Sequence, residues 1–178
     1  MKMRITAALA GVLLAAGLSV GAAQAQSQAQ TKCVSAKTDW SVCVWDSPKE
    51  CWGVSIPKES VNTRGGRPAQ VRRGDTMLFV TFRPGAGARG EISFTPGYAY
   101  AKGAQVSVEI GNDKFTLFTD GEWAWPANAN DDSALLAAMK RGSQAVVTGS
   151  SARGTDTKDT FSLLGFTAAM EEAETRCK

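Results

Sequence analysis

The feature that most constrains this chain is the dipeptide Asp120-Gly121, which separates two segments rich in aromatic and β-branched residues. Asp-Gly is a strong signal for a tight β-hairpin because both central residues of the turn must tolerate positive φ angles. In the corresponding register, Phe118 faces Trp123 on the opposite strand. Phe118, Trp123 and Trp125 then share one face, where cross-strand aromatic contacts stabilise a sheet. Residues 115–125 therefore predict a β-rich domain.

Residues 1–25 have the features of a secretory signal peptide. Lys2 and Arg4 give a positive start, an apolar segment follows at residues 5–20, and Ala23-Gln24-Ala25 is a small-x-small cleavage site. A membrane anchor is the alternative, but the apolar segment is short for a span and polar residues follow it directly. We therefore expect a periplasmic or secreted protein that does not span a membrane after cleavage.

The remaining chain has a length that suits one domain with a hydrophobic core. We expect a flexible leader at residues 26–37 and a single domain at residues 38–178. The chain has 20 basic and 17 acidic residues, and two of the basic ones lie in the signal peptide. Because the mature chain is nearly neutral, nucleic acid is not expected as a partner.

The chain has four cysteines, namely Cys33, Cys43, Cys51 and Cys177. An even number of cysteines behind a signal peptide predicts disulfides. Zinc is the competing interpretation, but the spacings fit no zinc-ligand pattern and the chain contains no histidine.

Two alternating segments around Cys43 and Cys51 predict a hairpin. If Cys43 lies opposite Cys51, then Val42 lies opposite Trp52, and the apolar side chains gather on one face. This register favours a disulfide between Cys43 and Cys51. The favoured pairing is then Cys43–Cys51 with Cys33–Cys177, and the alternative is Cys51–Cys177 with Cys33–Cys43.

One internal helix is expected at residues 132–141, and a second helix at residues 167–176. Asp131-Asp132-Ser133 supplies a cap and negative charge for the first turn. Gly142 is expected to end the helix in the left-handed conformation.

Alternating or continuous apolar segments separated by turn residues predict strands at 76–82, 105–110, 145–150 and 157–163. The expected fold class is all-β: an antiparallel β-sandwich of the immunoglobulin-like type, with one short internal helix and a C-terminal helix.

The sequence does not indicate catalytic chemistry, because it contains no histidine. Histidine is the usual general base and a common metal ligand. Residues 85–90 match G-x-G-x-x-G, but strand-like residues 91–94 follow where a dinucleotide site needs a helix. An acidic cluster lacks the spacing of a calcium loop; its members are Glu109, Asp113, Asp120, Glu122, Asp131 and Asp132. We therefore predict no catalytic residue, no metal and no cofactor.

Two sets of residues are candidates for binding. Trp45, Trp123 and Trp125 could form an aromatic platform for sugar rings or for a protein partner, and burial in the core is the competing interpretation. A second set is basic and falls in or beside turns, so its guanidinium groups are expected in water. This set could bind an acidic protein or anionic lipid headgroups, with a solvated face as the alternative; its members are Arg64, Arg67, Arg72, Arg73 and Arg89.

From residue 39 to residue 169 the chain resembles the invasion-associated locus B family of exported proteins. The matching pieces are Asp39-Trp40-Ser41-Val42-Cys43 with Cys51 behind it, Met139-Lys140-Arg141-Gly142, and Leu164-Gly165-Phe166-Thr167-Ala168-Ala169. The resemblance implies a compact, non-catalytic β-sandwich outside the cytoplasm with a role in host-cell invasion.

One departure from the family pattern concerns the aromatic hairpin. Family members often carry a second cysteine pair where this chain has Phe118 and Trp123, so the resemblance implies that an aromatic pair replaces a disulfide here. The functional hypothesis is an exported, non-enzymatic interaction protein of the bacterial envelope, with an unidentified envelope or host-surface protein as partner. The alternatives are a carbohydrate-binding domain that uses exposed tryptophans and a cryptic hydrolase.

Overall fold

A computed structural model describes residues 32–178, and the predicted signal peptide lies outside this range. Within the described residues the fold has twelve strands, two α-helices and one short 3-10 helix at Pro84–Ala86. The first six strands are β1 (Lys32–Lys37), β2 (Trp40–Asp46), β3 (Lys49–Ser55), β4 (Glu59–Arg64), β5 (Arg67–Pro68) and β6 (Met77–Arg83). The others are β7 (Ala88–Thr95), β8 (Gln105–Ile110), β9 (Asp113–Asp120), β10 (Trp123–Trp125), β11 (Gln144–Ser150) and β12 (Asp156–Ser162), and the helices are α1 (Ala129–Arg141) and α2 (Phe166–Arg176).

The strands form one twelve-stranded sheet in the order β1-β2-β3-β6-β7-β10-β9-β8-β11-β12-β4-β5. Within the described residues, neighbouring strands of the sheet pair in antiparallel directions. The prediction of an antiparallel β protein with two helices is therefore confirmed. The finer prediction of an immunoglobulin-like sandwich is not confirmed, because the strands form a single continuous sheet.

The sheet curls so that distant strands meet across a shared core. Phe94 on β7 and Phe161 on β12 pack edge to face with ring centroids 6.0 Å apart. Nε1 of Trp40 on β2 donates to the carbonyl of Ser162 at the end of β12, at 3.0 Å. We call the side of the sheet that faces this core the inner face and the opposite side the outer face.

Helix α1 begins earlier than the sequence predicts. Asn128 is the cap, since its side chain accepts hydrogen bonds from the backbone N–H groups of Asn130 and Asp131. Gly142 has a φ of −81°, so the predicted left-handed end is wrong. Glycine suits this position for a packing reason, because a Cβ there would collide with the side chain of Ile110.

Helix α2 covers the inner face of β2 and β3 near the C-terminus. Trp40 meets Phe166 edge to face at a centroid distance of 4.8 Å. Met170 fills the space where a side chain at position 53 would lie, which explains the glycine there. No helix within residues 32–178 is long and apolar enough to cross a membrane.

Strand β1 corrects the prediction of a flexible leader at residues 26–37 for residues 32–37, while residues 26–31 lie outside the described range. Lys32–Lys37 pairs with β2 in an antiparallel register, and Cys33 lies directly opposite Cys43. A disulfide joins these two cysteines and fixes the strand on the sheet edge.

The predicted disulfide pairing is wrong, and the alternative pairing is observed. The bonds are Cys33–Cys43 and Cys51–Cys177. In the β2–β3 hairpin Cys51 lies opposite Val44 rather than Cys43. A shift of one residue turns a side chain to the other face of a sheet, so Cys43 and Cys51 point to opposite faces and cannot bond.

The register of the aromatic hairpin also differs from the prediction. Asp120 pairs with Trp123, and Phe118 pairs with Trp125 instead of Trp123. Gly121, with a φ of +59°, is therefore the first of two turn residues rather than the second. Because this register differs by two residues from the predicted one, the aromatic side chains still share one face.

Candidate functional site

The outer face carries a cluster of aromatic side chains that we call the aromatic face. Its strands place these residues on one side because side chains alternate along a strand. In β10, Ala124 is fully buried against the core, so its neighbours Trp123 and Trp125 both point outward. The aromatic face consists of Trp45, Trp52, Phe79, Phe118, Trp123 and Trp125.

Four of these side chains contact one another in a continuous series, in the order Phe79, Trp123, Trp125 and Phe118. The rings of Trp123 and Trp125 are nearly parallel, at 22°, with centroids 6.4 Å apart. Phe79 lies 5.8 Å from Trp123, and Phe118 lies 5.4 Å from Trp125. Phe118 and Trp123 are 48% and 39% exposed, so the outer end of the series is open to solvent.

A small ion network borders the aromatic rings. Arg83 donates to both carboxylate oxygens of Glu91, at 3.0 and 2.9 Å, and its Nε lies 3.2 Å from Glu50. The hydrogen bonds that Arg83 donates to Glu91 raise the pKa of Arg83, so this guanidinium stays charged. The rings and the network together line a shallow depression of about 680 Å³.

The structure brings the predicted platform residues Trp45, Trp123 and Trp125 together in this depression. The sequence-based reasoning missed Trp52, because the shifted hairpin register placed it on the core side. Trp52 actually lies opposite Cys43, on the outer face. The two-residue turn between Asp46 and Lys49 sets this register and could have revealed it.

A second candidate site lies where β4, β12 and the segment before β6 meet, and we call it the arginine pocket. It has a volume of about 460 Å³. Four arginines and one glutamate contribute charged groups to its lining, together with an aromatic wall. These residues are Arg64, Arg72, Arg73, Arg153, Glu122 and Tyr98.

Arg73 corrects the prediction that all of the candidate arginines have their guanidinium groups in water. Its side chain is only 9% exposed and makes a two-pronged ion pair with the fully buried Asp159, at 2.8 and 2.6 Å. Its Nε also donates to the carbonyl of Pro96, and the guanidinium lies 5.4 Å from the ring centre of Tyr98. Arg73 is therefore a structural residue whose charge is neutralised.

The other candidate arginines divide between two regions. Arg64 and Arg72 are exposed and line the pocket, and Arg67 lies opposite Arg64 on the neighbouring strand. Arg89 lies elsewhere, in a depression that it shares with Glu174. The predicted edge of five arginines does not form as a unit, and Arg153, which the sequence-based reasoning missed, joins the pocket instead.

Tyr98 forms a wall of the pocket as a neutral phenol. Burial raises its pKa, and its hydroxyl shares a hydrogen bond of 2.8 Å with the hydroxyl of Thr157. Within residues 32–178, no group of three or more histidine, cysteine or acidic side chains is arranged to hold a metal ion.

The described chain is thus an antiparallel β protein, fastened by two disulfides, that presents an aromatic face and an arginine pocket. A family model described as "Invasion associated locus B (IalB) protein" matches residues 63–174, which is more than half of the chain. The protein therefore belongs to the invasion associated locus B family. Searches of the curated proteins and of the solved structures found no match.

The matched range defines which parts of the resemblance the family model supports. It includes Met139-Lys140-Arg141-Gly142 and the segment at residues 164–169, but not the Trp40 strand or Cys51. Trp123, Trp125 and all of the residues that line the arginine pocket also lie inside the matched range.

Proposed function

We propose that this protein is an exported, non-enzymatic binding protein of the bacterial envelope and that its aromatic face binds a carbohydrate. The observation that carries the proposal is the pair of nearly parallel indole rings of Trp123 and Trp125, with centroids 6.4 Å apart. Trp123 is 39% exposed, so a ligand in solution can reach its ring.

Sugar rings and indole rings are chemically matched. An indole ring has a negative face because of its π-electron quadrupole, and the C–H groups on one face of a pyranose carry partial positive charge. Arg83, Glu50 and Glu91 lie beside the rings and offer donors and acceptors for sugar hydroxyls. A few polar groups among aromatic side chains are what small-ligand sites use to fix orientation.

A carbohydrate is favoured over a large protein partner because the aromatic face is small. The depression is lined by ten residues, whereas a stable protein interface uses about 20–30 residues on each side. A short oligosaccharide would cover the exposed rings fully.

Two features favour binding over hydrolysis at this face. Glu50 and Glu91 are its carboxylates, and both are held by Arg83. A glycosidase needs one carboxyl group that can donate a proton and a second that is free to act as base or nucleophile. The 178-residue sequence also has no histidine to serve as an alternative base.

The proposed location outside the cytoplasm is supported by the two disulfides. Such bonds persist in oxidising compartments and are rare in the cytosol. The name of the family supports a ligand on the bacterial envelope or on a host-cell surface.

The test is binding of the mature protein to an array of bacterial envelope and host-type oligosaccharides, followed by titration calorimetry. Trp123→Ala and Trp125→Ala are expected to weaken binding about tenfold or more, since an aromatic contact contributes about 0.5–1.5 kcal/mol beyond its buried area. Leu164→Ala is the matched control, because Leu164 is an exposed apolar residue outside the aromatic face. Absence of binding to every oligosaccharide, or equal binding by the tryptophan variants, would overturn the proposal.

A further inference from the structure

We propose that the arginine pocket is a second binding site, separate from the aromatic face, for a ligand that carries a phosphate group. The proposal starts from three guanidinium groups around one cavity, those of Arg64, Arg72 and Arg153. It does not depend on the proposed carbohydrate function, because the residues that carry it do not belong to the aromatic face.

The charge of these three arginines is not neutralised within the protein. Among residues 32–178, none of the three takes part in an ion pair. Residues 1–31 contain no aspartate or glutamate, so that segment cannot supply an acidic partner. Glu122 is the one acidic residue that lines the pocket, and a net positive charge remains.

Internal contacts hold the floor of the pocket in place without neutralising the charges of Arg64, Arg72 and Arg153. Asp159 neutralises Arg73, and Arg73 in turn lies against the ring of Tyr98. Nη2 of Arg64 donates to Oγ1 of Thr155 at 2.9 Å, and Thr155 is buried. Arg64 is therefore oriented before a ligand arrives, which lowers the entropy cost of binding.

The composition of the pocket favours phosphate over a single carboxylate. Three guanidinium groups present more N–H donors than the two oxygens of a carboxylate can accept, whereas a phosphate monoester offers three terminal oxygens and about two negative charges. Arginine is also the side chain whose planar fork best matches phosphate oxygens. The cavity of about 460 Å³ is larger than a bare phosphate requires.

The size and walls of the pocket indicate a phosphate that is attached to a further group. Val71, Ala99 and the ring of Tyr98 provide apolar surface beside the arginines, which suits a glycerol or sugar carbon skeleton. A phospholipid headgroup and a soluble phosphate ester share this chemistry, and the experiment below distinguishes the two sources.

The experiment compares two double variants with the same change of charge. Arg72→Gln with Arg153→Gln removes two guanidinium groups from the pocket, and Arg67→Gln with Arg89→Gln removes two that do not line it. Binding is measured by calorimetry with glycerol 3-phosphate, and by sedimentation with vesicles of phosphatidic acid, a lipid phosphate monoester, in phosphatidylcholine. Vesicles of phosphatidylcholine alone serve as the neutral reference, and circular dichroism confirms folding.

The expected result is at least a tenfold loss of affinity in the pocket variant and less than a twofold loss in the control variant. Binding to glycerol 3-phosphate supports a soluble phosphate ester, and binding only to the anionic vesicles supports a lipid headgroup. The proposal is overturned if wild type binds neither probe, or if both double variants lose affinity equally, since the second result would show attraction by general surface charge. These outcomes do not depend on whether Trp123→Ala weakens carbohydrate binding, so the two proposals are tested separately.

Discussion

The inner and outer faces of the sheet both carry large aromatic side chains, but the two sets are in opposite environments. Trp40, Phe94 and Phe161 on the inner face are almost completely buried, and α2 packs over the first of them. On the outer face, Phe118 and Trp123 remain exposed after folding. The two helices contribute their buried residues to the inner core.

The difference separates residues that build the fold from residues that are available to a ligand. A buried aromatic side chain stabilises the fold by removing about 150–250 Å² from water. A half-exposed ring gains only part of this, and an exposed cluster of large apolar side chains on a small domain is typical of a binding surface. The same reasoning applies to two adjacent arginines. Arg73 is buried and structural, whereas Arg72 is exposed and available to a ligand.

The largest expected effect comes from the disulfide on the inner face. Cys51–Cys177 closes a loop with a sequence separation of 126, whereas Cys33–Cys43 has a separation of 10. In the chain-entropy model the two bonds contribute about 5 and about 3 kcal/mol respectively. We therefore expect the Cys51→Ser/Cys177→Ser double variant to lose more stability than Cys33→Ser/Cys43→Ser in urea unfolding. An equal loss of stability in the two double variants would show that the outer-face bond matters as much as the inner-face bond. The reverse order would show that it matters more.

Trp40 and Trp123 test the comparison directly, because they are the same residue type on opposite faces. Trp40→Ala is expected to lower the free energy of unfolding by about 3–5 kcal/mol, since it leaves a cavity beneath α2. Trp123→Ala is expected to lower it by less than half as much, about 1–2 kcal/mol, because the ring is already 39% exposed and its removal leaves no closed cavity. Chemical denaturation of both variants measures the difference. Similar losses in the two variants would mean that the aromatic face is structural.

The antiparallel β class could be predicted because it depends on local patterns, whereas the sandwich arrangement depends on long-range pairing and is not confirmed. Alternation marks the strands, and the predicted helix at residues 167–176 agrees with α2 to within one residue. The pairing of β2 with β3 could not be predicted as reliably, since a register error of one residue reverses every side chain. The two-residue turn fixes Asp46 opposite Lys49, and the expectation of a Cys43–Cys51 bond outweighed that signal.

The candidate sites were only partly predictable, because they depend on contacts between distant segments. Arg153 and Arg72 are 81 residues apart in the numbering and meet only because β12 brings the turn before it next to the segment after β5. Arg73 has the same local sequence features as Arg72. Its burial depends on Asp159 on β12, which no short-range pattern reveals.

Asp159 provides a further test, because among residues 32–178 it is the one charged residue that is buried. Asp159→Asn is expected to cost about 3 kcal/mol, since Arg73 then keeps a buried charge without a counter-ion. Asp156→Asn is the control, because Asp156 is exposed and bonds only Ser150 among the described residues. A double variant, Arg73→Met with Asp159→Leu, is expected to recover much of the loss in thermal unfolding. A loss as small as that of the control would show that the pair does not support the inner face.

The smallest expected effect lies on the solvent side of α2, where Glu172 joins the helix to β1. Hydrogen bonds from Lys37, Arg176 and Ser35, in that order of importance, lower the pKa of Glu172 to about 2. An acid with a lowered folded-state pKa contributes stability that is present above its unfolded pKa of about 4.3 and is lost as the pH falls toward 2.

The Glu172→Gln variant is therefore expected to be less stable than wild type at pH 7, and the difference should shrink between about pH 4.5 and pH 2. Because Glu172 is partly exposed, the effect is small and sensitive to salt. Glu171→Gln is the matched control on the adjacent exposed position. An NMR titration of the Glu172 carboxyl group gives the most direct measurement, since a midpoint near 4.3 would show that β1 and α2 are not coupled through this residue. A midpoint near 2, together with a flat difference for the control, would show that charge holds the edge strand β1 to α2, in addition to the Cys33–Cys43 bond that holds β1 to β2.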